Sequence, residues 1–160
     1  MLEIGDKVVY PMHGAGVIEA VEEREIDGES RSYFVLSMLF GDMKVMIPVT
    51  GTSVVGIRHV ITKKELAKVR TVLVCDSEEE QCHANWNRRF NMYLKKLKSG
   101  SIYEVADVVR VLMNQERNKK LSTGEKRLLG TARQILISEL MLSCSFDLEK
   151  AEGWLESQFV

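Results

Sequence analysis

The apolar pattern of this chain changes period once, and that change limits the fold more than any other feature. Up to about residue 61 the apolar residues come in short runs broken by glycine and proline. From Ala84 onward they recur every three or four residues. The first pattern belongs to strands and the second to amphipathic helices. The expectation is an α+β chain: a small antiparallel β-barrel first, then a compact all-helical domain.

The strands read as follows. Lys7-Val8-Val9-Tyr10 is ended by Pro11, and Gly14-Ala15-Gly16 is a turn or bulge. A longer strand runs from Val17 to about Glu25, and Asp27-Gly28 is a two-residue hairpin signal. Ser32–Leu36 is the return strand, and Lys44–Ile47 is a fourth, closed by Pro48. Val54-Val55 and Val60-Ile61 are candidates for a fifth. The fourth strand is a candidate sheet edge, because proline cannot donate to a ladder, although Pro48 can equally just end the strand. An edge can be charged, covered, or extended by a partner's strand.

Thr62 with Glu65 makes a capping box for a short helix to about Leu73. The expected division is therefore a barrel over residues 1–75, an acidic linker over 76–83, and a helical domain over 84–160. In the helical part, Trp86, Phe90, Tyr93, Leu94 and Leu97 form one stripe. Ser101 with Glu104 and Ser122 with Glu125 are further capping boxes, and Asp147 can cap a last helix. The buried faces would be Ile102, Val105, Val109 and Leu112 or Met113, then Leu128, Leu129, Ala132, Ile135, Leu136 and Leu140.

Charge is segregated along the chain. Residues 1–81 hold nine Lys/Arg against fourteen Asp/Glu, residues 82–135 hold twelve against four, and residues 136–160 hold one against five. The net charge of -1 hides a basic middle between acidic ends. That middle fits a polyanion partner or a solvated cationic helix surface. Cys75, Cys82 and Cys144 lack disulfide-framework spacing, and Cys75, Cys82 and His83 lack the tight pairs zinc prefers. No metal, cofactor or catalytic motif is expected: there is no P-loop, no G-x-G-x-x-G and no H-E-x-x-H. No apolar run is long enough to cross a bilayer, and the N-terminus does not read as a signal peptide, so a cytoplasmic protein is expected. A monomer is expected as well.

Asn85-Trp86-Asn87-Arg88-Arg89-Phe90 puts an aromatic ring beside two guanidinium groups. Trp86 allows two readings. It can be the first ring of the buried stripe, or it can stay exposed and stack on a base or wedge a base step. Lys95, Lys96 and Lys126 extend the cationic surface around Arg88 and Arg89. Such contacts position a protein on nucleic acid without reading its sequence.

Three stretches in order carry a resemblance over essentially the whole chain: Gly5-Asp6-Lys7-Val8-Val9-Tyr10-Pro11-Met12-His13-Gly14, then Asn85–Phe90, then Leu121-Ser122-Thr123-Gly124-Glu125-Lys126-Arg127-Leu128-Leu129. Together they resemble the CarD/CdnL family of bacterial RNA polymerase-binding transcription regulators. The first stretch is also similar to the polymerase-interacting module of the transcription-repair coupling factor. The resemblance implies a Tudor-like barrel that docks on the lobe called β1 of the polymerase β subunit, and a helical domain at the upstream edge of the promoter bubble. It implies that Trp86 wedges at that fork and holds the open complex, with Arg88 and the Asn91 position on DNA beside it. The cationic surface around them adds Arg89, Lys95, Lys96 and Lys126 as candidate DNA contacts. The resemblance places Arg24 and the Met46 position at the polymerase contact, and the rest of the candidate edge strand adds Val45, Ile47 and Pro48 as candidate contacts. Met46 and Asn91 depart from the arginine and lysine that some members carry there. The competing expectation is a protein adaptor with a buried Trp86 and no direct role on DNA.

Overall fold

The computed structural model describes residues 2–51, 55–75 and 86–159, and the side chain of Asn118 is not among them. The expected linker 76–83, with Cys82, His83 and Asn85, lies outside the described residues.

Five antiparallel strands form the N-terminal sheet: β1 Lys7–Tyr10, β2 Gly14–Ile26, β3 Glu29–Met38, β4 Lys44–Pro48 and β5 Arg58–His59. Their order is β4-β3-β2-β1-β5. Asp27 and Gly28 both take positive φ, 52° and 80°, as a tight hairpin turn demands. Beyond Gly16 a bulge between Ile18 and Ala20 re-registers β2 on β3. Gly16 itself is needed for close approach, since a Cβ there would lie 2.6 Å from the Ser37 carbonyl oxygen. Val8, Ile18, Phe34, Leu36, Met38 and Ile47 fill the sheet's concave side.

The fifth strand is not where the apolar pairs placed it. It is Arg58–His59, paired with Val9 and Val8. Val54 lies outside the described residues, Val55 packs against the barrel core from a helical turn, and Ile61 is buried in the helical core. Apolar residues that serve two different cores cannot alternate along one strand. A two-residue edge with polar side chains carries no period-2 signal.

After a 3-10 turn at Lys63–Glu65 come α1 Leu66–Leu73, α2 Trp86–Lys98, α3 Ile102–Asn118, α4 Thr123–Cys144 and α5 Leu148–Ser157. Val69 and Leu73 of α1 are buried in the helical core rather than in the barrel. Ser122 and Glu125 form the expected box, with reciprocal bonds of 3.0 and 3.2 Å, and Asp147 Oδ1 accepts from the Lys150 N–H at 2.7 Å. The box expected at Ser101 and Glu104 does not form. The Ser101 N–H, which the glutamate should have accepted, donates to Ser99 Oγ at 3.2 Å.

α4 is the central element. Its expected stripe is buried, with Glu139 inside it at i+7 from Ala132 and i+4 from Ile135, and so are Ile137 and Ser138 off the stripe. The reason is that the barrel packs there. The Ala15 N–H donates to Ser138 Oγ at 2.8 Å, and Lys7 Nζ reaches the Leu142 carbonyl at 3.3 Å. Arg58 forms a two-pronged ion pair with Glu139 at 2.7 and 2.8 Å. Glu139 also accepts the Ile61 N–H at 2.8 Å. Barrel and helices therefore share one interface along α4.

Gly130 sits mid-helix in α4, exposed, with nothing within 4 Å of where a Cβ would stand. Alanine there lowers the entropy lost on folding. Gly130→Ala is expected to stabilise by about 0.5–1 kcal/mol. Thermal unfolding should show it as a rise of about 1–4 °C.

Candidate nucleic-acid interface

Trp86 is the first described residue of α2 and is half-buried. One side of its ring rests on the helical core, at 5.4 Å and 53° from the Phe90 ring. The Arg89 guanidinium carbon stands 5.8 Å from the Trp86 ring centroid. Neither reading of Trp86 holds in its pure form: the ring is packed on one side and open on the other. Trp86 and Arg89 share a concavity of about 400 Å³ with Ser122, Thr123, Gly124 and Glu125. The concavity thus joins Trp86 and Arg89 of α2 to the first turn of α4. Helix N-termini present free N–H groups and positive potential, which suit phosphate.

The expected DNA-contacting residues differ in exposure and pairing. Arg88, Asn91 and Lys95 are exposed at i, i+3 and i+7, one face of α2, and Met92 is exposed beside them. Lys126 is exposed on the first turn of α4, next to Arg127. Arg89 is half-buried, and its Nε has no hydrogen-bond partner among the described residues. Lys96 is different, because its ammonium is bound by Asp107, which also accepts from Arg110 Nη2 at 2.6 Å. An ammonium already neutralised offers a phosphate little. Arg133, farther along α4, is likewise paired, with Glu156 at 3.4 Å.

Two carboxylates at this end hold lowered pKa values. For Asp107 burial pushes the pKa up, but bonds from Lys96 and Arg110 outweigh it. For Glu125 burial also pushes up, and bonds from Ser122 and Gln115 with the nearby Arg89 charge outweigh it. A carboxyl with a lowered folded pKa stabilises the fold fully above its unfolded value. That contribution fades as pH falls through the folded value. The thermal midpoint is therefore expected to fall below about pH 4. Asp107→Asn should be less stable at neutral pH and should lose less on acidification.

On the barrel, β4 is an edge of the sheet. Its register on β3 separates the expected contact residues. Ile47 stands opposite Phe34 and Val45 opposite Leu36, so both face the barrel core, with Ile47 only 3% exposed. Met46 stands opposite Val35 and Pro48 opposite Tyr33, on the outer face. Arg24 stands opposite Arg31, and Glu22 opposite Tyr33, so Arg24 belongs to that same outer face. Arg24 is exposed and pairs with Glu22 at 3.4 Å. Sequence reasoning missed Arg31 and Tyr33 between these positions. Only the strand register shows them.

Two family models match the chain: CarD-like/TRCF RID domain over residues 2–61, and CarD, C-terminal domain, over residues 68–156. The chain belongs to the CarD family. A curated relative is YdeB of Bacillus subtilis (strain 168), described as a candidate transcription factor. It is 40% identical over 140 residues, which is 88% of this chain and 90% of YdeB. Among solved structures, the 72-residue N-terminal domain of Myxococcus xanthus CarD, solved by solution NMR, is 27% identical. It covers 37% of this chain and 79% of its own, with a TM-score of 0.32. Membership of the CarD family places the protein among transcription regulators. None of the helices among the described residues is long and apolar enough to cross a membrane.

Proposed function

We propose that this protein binds the β subunit of RNA polymerase through the outer face of β2, β3 and β4, and holds promoter DNA open with Trp86. On the barrel, Arg24, Met46 and Pro48, with Arg31 and Tyr33 among them, supply the side-chain contacts. Val45 and Ile47 can contribute only their edge-strand backbone, since their side chains are turned inward. On the helical side, Arg88, Asn91, Lys95 and Lys126 position the duplex through its phosphates, and Lys96 contributes least.

The observation that carries the reading is the half-buried, backed Trp86 ring beside the N-terminus of α4. A ring packed on one side and open on the other can enter a distorted base step without first being ordered. Wedging into intact duplex costs a few kcal/mol per unstacked step, whereas melted DNA has already lost that stacking. Trp86 therefore favours the open state over the closed one, and only such a difference shifts the equilibrium. The barrel supplies the rest by tethering. It raises the local concentration of a weak, salt-sensitive DNA binder at the fork.

The test is the lifetime of promoter open complexes formed with polymerase alone, with this protein, and with its Trp86→Ala variant. The protein should lengthen the lifetime, and the variant should not, while both bind polymerase. A variant as effective as the parent protein would leave Trp86 a packing residue and favour the adaptor reading.

A further inference from the structure

The wedge depends on one ring holding one orientation, and the structure shows what stands beneath that ring. Trp86 has Phe90 and Arg89 from its own helix as neighbours, and across the gap it has the backbone of α4 at Gly124. A Cβ at Gly124 would lie 2.8 Å from Trp86 Cζ2, 3.5 Å from Cη2 and 3.7 Å from Cε2. Carbon atoms pack at about 3.5–4.0 Å, so any other residue there displaces the indole or parts the two helices.

The backbone gives Gly124 no reason to be glycine. It lies in the first turn of α4 and is absent from the residues of positive φ. Glycine in a helix is a poorer choice than alanine. Gly130 of the same helix is also glycine, and the space around its missing side chain is empty. Of the two, only Gly124 is filled by a ring.

We propose that Gly124 is a positioning residue for Trp86. Its missing side chain is the seat on which the indole rests, and it sets how far and at what tilt the ring stands out from the junction of α2 and α4. The inference rests on Trp86 being the wedge. A ring fixed between Gly124 and Phe90 meets DNA in one pose, whereas an unseated ring must be ordered at each encounter. A displacement of about 1 Å at a precisely oriented group is enough to matter.

The experiment compares Gly124→Ala, Gly130→Ala and Trp86→Ala. Emission of Trp86 is read in a Trp154→Phe background, and open-complex lifetime with polymerase is read alongside polymerase binding and helix content. Gly124→Ala is expected to shift the Trp86 emission to the red and to shorten the lifetime toward that of Trp86→Ala, with polymerase binding retained. Gly130→Ala should alter neither the emission nor the lifetime. Unchanged emission in Gly124→Ala overturns the seat. An emission shift with an unchanged lifetime, where Trp86→Ala does shorten it, overturns the positioning role and leaves the wedge standing. If Trp86→Ala itself leaves the lifetime unchanged, the wedge reading falls, and the positioning role falls with it. Should Gly124→Ala unfold, its thermal midpoint is measured in a Trp86→Phe background. A smaller ring should restore stability, and no recovery overturns the seat.

Discussion

Arg58→Met is expected to destabilise the protein by about 3–5 kcal/mol, because it leaves a buried carboxylate without its counter-charge. Glu139 is 1% exposed, and both of its oxygens accept from the Arg58 guanidinium. Methionine keeps the length and apolar stem of the side chain, so the loss reports mainly the charge and its hydrogen bonds. For a chain of this size the thermal midpoint should fall by roughly 6–20 °C. The effect should also reach beyond one pair. Arg58 Nε donates to the Gly100 carbonyl at 2.5 Å, so one side chain ties strand β5, the turn between α2 and α3, and helix α4 together. The double variant Arg58→Met/Glu139→Met should recover part of the loss, since replacing both charges removes the unpaired one. Recovery should be incomplete, because the Ile61 N–H then loses the carboxylate it donates to. An unpaired buried donor costs about 1–3 kcal/mol. A drop in midpoint of only a degree or two for Arg58→Met would mean that water reaches Glu139 and that the latch contributes little.

This latch was not legible in the sequence, and the reason is physical. Glu139 lies in α4 between Ser138 and Leu140, where a charged residue ordinarily marks a solvated face. Its spacing, four residues after Ile135 and three after Leu136, sets it inside the apolar stripe, and the helix alone does not say what partner meets it there. The apolar stripe was readable because it needs one partner surface. The partner of Glu139 needed the position of β5, and a two-residue strand of Arg58 and His59 has no alternation to find. The hairpin at Asp27-Gly28 and the cap at Ser122 were readable because turn and cap chemistry is local.

The candidate site divides the same way. Trp86 and the exposed cations could be named from residue type and spacing. Which cations are already paired could not, since Asp107 reaches Lys96 from the next helix. On β4 the period of two was available in principle. It separates Met46 and Pro48 from Val45 and Ile47 once the core face is known, and Phe34 and Leu36 supply that knowledge only through the register.

Trp86→Ala should then remove most of what the protein adds to open-complex lifetime, and the size can be bounded. Stacking of one base on an aromatic side chain is worth about 1–3 kcal/mol, which is roughly a 5- to 150-fold change in lifetime. The effect cannot exceed the enhancement that the whole protein gives, because the barrel tether acts equally on closed and open complexes if both expose the same polymerase face. Tethering raises occupancy, and differential contact shifts the equilibrium. The two are separable by concentration. Raising the Trp86→Ala variant until polymerase is saturated should restore occupancy and leave the lifetime short. If saturation restores the lifetime, the tryptophan serves affinity alone, and the open state must be held by the cations around it. Trp86→Phe adds a second constraint. A smaller ring keeps a stacking face but leaves the seat at Gly124 partly unfilled, so its lifetime should fall between those of the parent protein and Trp86→Ala. A Trp86→Phe lifetime equal to that of the alanine variant would assign the effect to the shape of the indole as a wedge rather than to stacking.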